Sequence, residues 1–309
     1  MTDPAELCEQ AVEMVESDPG AAYRLFSDAA DAGSANGMFG MAELKMSGTG
    51  TEKDPEGAER LYSEAAATGH APSMYRLGAM WAGDSGHPED PAKAADWFLR
   101  AAELGFQPAY PEIAGCLLYG YGVSEDPSAA LGWYRAAADE GDPLSMFKAG
   151  YMLSEGIGSE KDGKEAVRLF RMSAVSGVPE GMLKMAELCS SGEVPGGDAA
   201  AFNWCRSAAD SGFIPAIYRL ATMLYQGEGT ARDLPRAYSM YKELADAGEA
   251  DAMFMVGRMM LEGLGVEKDE ENGFRYLSEA AAAGSTIALQ LVEDIRRRQN
   301  TQLIRIDGS

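Results

Sequence analysis

The sequence is poor in the residues from which catalytic and metal centres are usually built. It holds two histidines, His70 and His87, and four cysteines in 309 residues. Two histidines are too few for a metal cluster or a histidine-based triad, so no catalytic residue, metal ligand or cofactor is assigned. Basic residues are scarce as well. Lys and Arg total 26 against 49 Asp and Glu, a net charge of -23, the opposite of the positive surface that binds nucleic acid or an anionic membrane. No apolar run approaches the roughly 20 residues of a membrane-spanning helix. The amino terminus, Met1 to Cys8, has no basic segment followed by an apolar one, so a cytoplasmic location is expected.

What the chain has in abundance is regularity. Aspartates stand at Asp18, Asp54, Asp90, Asp126, Asp162, Asp198, Asp233 and Asp269, with glycines following at Gly33, Gly69, Gly105, Gly141, Gly177, Gly212, Gly248 and Gly284. The step is 36 residues except for one of 35 in the sixth unit, where Gly197 and Asp198 compete for the same place. A period of this size marks stacked units, none of which can bury its apolar face alone. Between each Asp and Gly there is room for about four turns of helix, capped by Asp, started by Pro19, Pro55, Pro91 or Pro127, and ended by Gly. We call this helix B.

Eleven residues before each marker Gly the side chain is small: Ala22, Ala58, Ala94, Ala130, Ala166, Ala201, Ala237 and Gly273. Two helices are expected to touch there. Seven and eight before it come bulky pairs such as Leu61 and Tyr62, Trp97 and Phe98, Trp133 and Tyr134, or Tyr276 and Leu277. Upstream of each Asp, apolar residues three and four apart predict a second helix, helix A, with small residues at Ala42, Gly78, Ala114, Gly150, Ala186, Ala221 and Gly257. A Gly-x-Gly loop joins helix A to the next Asp, as in Gly48/Gly50, Gly120/Gly122, Gly156/Gly158, Gly227/Gly229 and Gly263/Gly265. Its glycines read as a helix stop with left-handed backbone.

Ala252 to Gly257, Gly263 to Asp269 and Ala280 to Gly284 closely resemble the Sel-one-like repeat, a 36-residue relative of the tetratricopeptide repeat. The resemblance runs from about residue 4 to about residue 299. It implies an all-α fold, a right-handed superhelical solenoid of stacked helix-turn-helix repeats. The units span about 4–33, 34–69, 70–105, 106–141, 142–177, 178–212, 213–248 and 249–284, within one domain over 1–299. A capping helix is expected over 286–298, and residues 300–309 form a tail. Thr301 to Ile306 alternate in polarity, so the tail is expected to be disordered in the monomer, the alternative being a strand that packs on a partner or a second copy.

The resemblance also implies a non-catalytic adaptor or scaffold that binds proteins. The alternative is an enzyme or regulator whose site is built from several loops. Secreted relatives staple their hairpins with disulfides, a pattern missing here. Cys116 takes a slot held elsewhere by Leu44, Met80 and Met152, Cys189 one held by Leu117, Leu153 and Leu224, and Cys205 replaces an aromatic residue. Buried thiols acting as small hydrophobes are expected, with a Cys189–Cys205 bridge as the alternative. Ser145 and Lys148 have the serine–lysine spacing of penicillin-binding enzymes, but Ser145 fills the small slot of Ser73, Ala109 and Ala216 and no companion motif is present.

The repeat leaves one stripe of helix A free. Fourteen residues before each Asp stand Gly40, Arg76, Glu112, Lys148, Lys184, Arg219 and Met255, four of them basic in an acidic chain. Beside them lie Phe39, Tyr75, Pro111, Phe147, Leu183, Tyr218 and Phe254, with Tyr151 and Tyr225 nearby. In related solenoids helix A lines the concave groove. One reading makes Tyr75, Arg76, Phe147, Lys148, Tyr151, Lys184, Tyr218, Arg219 and Tyr225 a groove for an acidic protein or peptide partner. The other makes the aromatics a seal between units and the cations surface charges paired with local Glu. Oligomeric state is not legible.

Overall fold

The computed structural model describes residues 3–83 and 88–307, with side chains described through Arg298; His87 lies outside the described residues. In chain order the helices are α1 (Pro4–Met14), α2 (Pro19–Asp31), α3 (Ala35–Ser47), α4 (Pro55–Ala67), α5 (Ala71–Trp81), α6 (Pro91–Glu103), α7 (Ala109–Tyr119), α8 (Pro127–Asp139), α9 (Pro143–Glu155), α10 (Gly163–Val175), α11 (Pro179–Ser190), α12 (Gly197–Asp210), α13 (Ile214–Gln226), α14 (Leu234–Asp246), α15 (Ala250–Glu262), α16 (Glu270–Ala282) and α17 (Thr286–Asp307). No strand occurs among the described residues. Odd-numbered helices through α15 are helix A and even-numbered ones helix B. The chain divides into two compact units, residues 1–166 and 167–309, with the boundary inside α10.

In the first compact unit each helix from α1 to α9 packs on its neighbours in sequence, and in the second α11 to α17 do the same. The seventh residue before each marker Gly is buried in all eight units: Phe26, Tyr62, Phe98, Tyr134, Phe170, Cys205, Tyr241 and Leu277. Burying an aromatic or leucine side chain contributes about 1.5–3 kcal/mol. Helix backbones approach at the small slot, where a Cβ on Gly257 would lie 2.7 Å from the Gly273 carbonyl oxygen and one on Gly273 would lie 2.9 Å from that of Gly257. The array is thus an all-α solenoid of tandem helix pairs.

The marker aspartates cap as expected. Asp18, Asp54, Asp90, Asp126, Asp162, Asp233 and Asp269 each accept the backbone N–H of the third residue on, at 2.8–3.2 Å. Their own N–H groups tie down the preceding loop, as when Asp126 N donates to Leu117 O at 2.8 Å and Asp162 N to Leu153 O at 3.0 Å. The sixth unit resolves differently from either sequence candidate. There α12 starts at Gly197 with Gly196 as its cap, at φ 130° and without a side-chain hydrogen bond, and Asp198 falls in the first turn. Two adjacent glycines permit that backbone path. Asp126→Ala is therefore expected to cost about 1 kcal/mol and Asp198→Ala less than about 0.5 kcal/mol, as read by urea denaturation.

The Gly-x-Gly loops do more than stop a helix. The first glycine of each is the left-handed cap, as at Gly120 (φ 67°) and Gly156 (φ 74°). The second also has positive φ, but its backbone lies against the start of the preceding helix B. A Cβ at Gly50, Gly122, Gly158, Gly229 or Gly265 would fall 1.9–2.4 Å from the backbone of Pro19, Pro91, Pro127, Asp198 or Leu234. These glycines set the spacing between consecutive repeats.

The last helix does not end at Arg298: α17 runs to Asp307. No Gly or Pro interrupts Thr286 to Asp307, and its Gln, Leu and Arg residues favour helix over an isolated strand with no partner edge. All four cysteines are free and buried, so Cys189 and Cys205 are not bridged. Burial pushes the Cys116 and Cys205 thiols up to about 11, which keeps them protonated and unreactive.

Candidate functional site

At the seventh-before position three of the buried residues are tyrosines, Tyr62, Tyr134 and Tyr241, whose hydroxyls need a hydrogen-bond partner. Repeat geometry aims each hydroxyl at the same place, the residue eleven before the Asp of its own unit on helix A. In the second unit that residue is Glu43. The Tyr62 hydroxyl donates to Glu43 Oε1 at 2.5 Å, and Arg76 on the next helix A donates from Nε to the same oxygen at 2.7 Å and from a second nitrogen to Oε2. Burial, then the Glu43 hydrogen bond, push the Tyr62 phenol far above its ordinary range. The three residues line a cavity of about 260 Å³ with Met46 and Ala79.

In the seventh unit Thr222 holds that place, 2.8 Å from the Tyr241 hydroxyl, and gives its own proton to the Tyr218 carbonyl at 3.0 Å. Met255, where Arg76 would stand, is buried. The fourth unit has Gly115. A Cβ built there would meet only the Tyr134 hydroxyl, 3.7 Å away, and that hydroxyl has no hydrogen-bond partner. Lys148 takes the Arg76 place, with Nζ 5.2 Å from the Tyr134 ring centroid. Lys148 has no ion pair among the described residues.

The same comparison sorts the residues singled out in the sequence. Arg76 pairs with Glu43, Lys184 with Glu187 at 3.0 Å, and Arg219 with Glu228 at 2.5 Å, where Ser190 also donates. Three of the four cations are thus held by carboxylates of this chain, and Lys148 is not. Tyr75 is half-buried, with Phe98 and Phe106 centroids 5.7 and 5.5 Å away. Tyr218 is half-buried edge-on to Tyr241 at 5.3 Å. Both act as seals between helices. Phe147 is half-buried. Tyr225 lies under the Arg232 guanidinium, whose Nε donates to the Tyr225 carbonyl at 2.8 Å. Tyr151 stands free, 48% exposed.

Tyr119 and Leu144 were not singled out. Tyr119 is 74% exposed and Leu144 45%. Tyr119 stands seven residues before Asp126 and Leu144 eighteen before Asp162, spacings that put each on the same helix-A face as the fourteen-before residues. On α9, Leu144 lies one turn before Lys148 and Tyr151 one turn after. On α7, Tyr119 lies one turn after Gly115, near enough to Tyr134 to raise its pKa. The stripe in the fourth and fifth units thus carries two exposed tyrosines, an exposed leucine and an unpaired lysine around a glycine gap. Ser145 is fully buried, as the small slot requires. His70, the described histidine, is half-buried between Ser73 Oγ at 2.8 Å and Asn36 Oδ1 at 3.0 Å, and burial lowers its pKa.

Comparison with known proteins identifies the architecture. The Sel1 repeat model matches eight times, at residues 7–34, 35–70, 71–106, 112–142, 143–177, 179–213, 214–249 and 250–285. The chain belongs to the Sel1 repeat family. A Sel1 repeat protein from Oxalobacter formigenes is 27% identical, with 95% of this chain and 88% of that one covered and a TM-score of 0.74. The protective antigen c5321 of uropathogenic Escherichia coli, which displays the same fold, is 23% identical over 96% of this chain and 72% of that one, with a TM-score of 0.66. No curated protein matches the sequence significantly. Proteins of this family generally mediate protein–protein interactions and are generally non-catalytic. Among the described residues no helix is long and apolar enough to cross a membrane, and no group of His, Cys, Asp and Glu is placed to hold a metal.

Proposed function

We propose that this chain is a non-catalytic adaptor that holds a segment of a partner protein on the exposed face of helix A, centred on α7 and α9. The observation that carries this reading is the cluster of Tyr119, Leu144, Lys148 and Tyr151, three exposed large apolar or aromatic side chains with a cation that no carboxylate pairs with among the described residues. Tyrosine is among the residue types that dominate interface hot spots, and an exposed apolar patch marks an interaction site. Arg76 lies on the equivalent stripe of α5, and Lys184 and Arg219 on those of α11 and α13, but a partner carboxylate at any of them has to displace Glu43, Glu187 or Glu228. The reading therefore narrows an acidic-partner groove to one strongly cationic point. Nucleic acid and membrane are not expected partners of so acidic a chain. Four unpaired buried thiols suit a reducing compartment such as the cytoplasm.

The test is selection of random displayed peptides on the full chain, followed by affinity measurement on a Tyr119→Ser/Tyr151→Ser variant. Both side chains point to solvent, so the melting temperature should not change. Affinity should fall by about tenfold or more, the loss of one to two hot-spot contacts. Peptides that bind the variant as tightly as the parent, or a selection that returns no binder, would contradict the reading.

A further inference from the structure

We propose that Gly115, Tyr134 and Lys148 form a receptor for one carboxylate side chain of a bound protein segment, an Asp or Glu that completes from outside the arrangement Glu43 completes from within. This deepens the adaptor reading and rests on it. The chain builds the same node three times at equivalent positions, and in two of them a helix-A side chain satisfies the tyrosine hydroxyl. At the third the acceptor is missing: Tyr134 is 0% exposed and its hydroxyl has no partner. An unsatisfied buried hydroxyl costs about 1–3 kcal/mol relative to a paired one, so Tyr134 is a folding disadvantage until an acceptor arrives.

The surroundings define what fits. Tyr62 shows the acceptor a tyrosine takes at this node, a carboxylate 2.5 Å away that is also bound by the next helix's cation. In the fourth unit the cation is present as Lys148, and the space a carboxylate stem would fill is open, since a Cβ on Gly115 meets nothing but the Tyr134 hydroxyl. Burial, with smaller contributions from Tyr119 and Glu112, pushes the Tyr134 phenol up to about 12, so at neutral pH it is a donor, not an anion. Glu112, one turn earlier on α7, is not its acceptor. A carboxylate entering between the exposed Tyr119 and Tyr151 would receive one hydrogen bond from Tyr134 and one charge-assisted bond from Lys148. Lys148 Nζ stands over the Tyr134 ring and the hydroxyl is buried, so entry requires the lysine to swing towards the incoming oxygen. A phosphate is larger and carries more charge than one lysine neutralises, with Glu112 adjacent.

Two linked measurements test this. In the free protein, Gly115→Glu installs the missing group. It should raise the melting temperature above that of Gly115→Gln, which shares the gain in helix propensity, and the difference should shrink when Tyr134 is Phe, because the hydroxyl bond is lost while the Lys148 pair remains, and vanish when Lys148 is also Gln. Tyr134→Phe alone should leave stability unchanged or raised, whereas Tyr62→Phe should lower it. Equal losses for the two tyrosines would mean that an internal water already satisfies Tyr134, and would overturn the proposal. Next, the peptides selected on the parent chain are measured on the variants. At least one Asp or Glu of each should be required, its amide analogue binding about tenfold or more weakly. Gly115→Glu and Lys148→Gln should each reduce affinity by a similar factor, while the amide analogue should be insensitive to both. Peptides that still depend on Tyr119 and Tyr151 but are indifferent to Gly115→Glu would sink the carboxylate receptor and leave the adaptor reading intact. Failure to select any peptide would remove both.

Discussion

Gly122→Ala is expected to destabilise the protein far more than Gly105→Ala, although both glycines have positive φ, 75° and 82°. A non-glycine residue in left-handed backbone costs about 1–2 kcal/mol, and that penalty is common to the two variants. The difference lies in space. Nothing stands within 4 Å of a Cβ at Gly105, whereas one at Gly122 would lie 1.9 Å from the Pro91 carbonyl oxygen. Side-chain rearrangement cannot relieve a clash with backbone, so the loop or the start of α6 must shift, adding at least about 1–3 kcal/mol of the kind overpacking causes. Urea denaturation of both variants checks this, and similar midpoints would show that the loop yields freely. Gly158→Ala, 2.2 Å from the Pro127 carbonyl oxygen, should behave like Gly122→Ala.

Glu43→Ala is expected to cost about 1–3 kcal/mol, a large effect for a partly exposed residue. It strands the Tyr62 hydroxyl, which is buried, and leaves Arg76 without its carboxylate. Because the penalty comes mainly from the buried hydroxyl, adding Tyr62→Phe should recover part of it. A double variant as unstable as the sum of the singles would show that Glu43 acts through Arg76 alone. The ion pair itself is partly exposed and is expected to contribute little in salt.

The helices, their capping aspartates and the buried small slot were legible in the sequence because each is fixed by local chemistry repeated in register. Asp18 and Asp126 cap alike because each carboxylate accepts an orphan N–H of the first turn, and the proline after each needs no partner for a missing N–H. What the sequence reading left out depends on contacts between units. The second loop glycine looked like part of a helix stop, yet its more demanding role is proximity to Pro91 or Pro127 in the unit before. The cap of α12 went to Gly196, because two glycines offered a backbone path that an Asp-centred rule does not contain.

The stripe residues show the same limit. Lys184 and Glu187 are three apart on one helix and their pairing can be read directly. Arg76 and Glu43 are 33 residues apart and meet only because consecutive A helices lie side by side. Tyr134 appeared as core bulk, and its orphaned hydroxyl became visible only when Gly115 was placed against Glu43 and Thr222. Aligning the eleventh-before positions of the repeats was the signal available in the sequence. It needed the knowledge that this position faces the core tyrosine.

The central claim is that partners are held on the exposed face of α7 and α9. Hydrogen–deuterium exchange of the full chain with and without a selected peptide tests it most directly. The account predicts added protection in residues 109–119 and 143–155, lost in the Tyr119→Ser/Tyr151→Ser variant. Protection confined to even-numbered helices such as α6 and α8, with α7 and α9 unchanged, would contradict it.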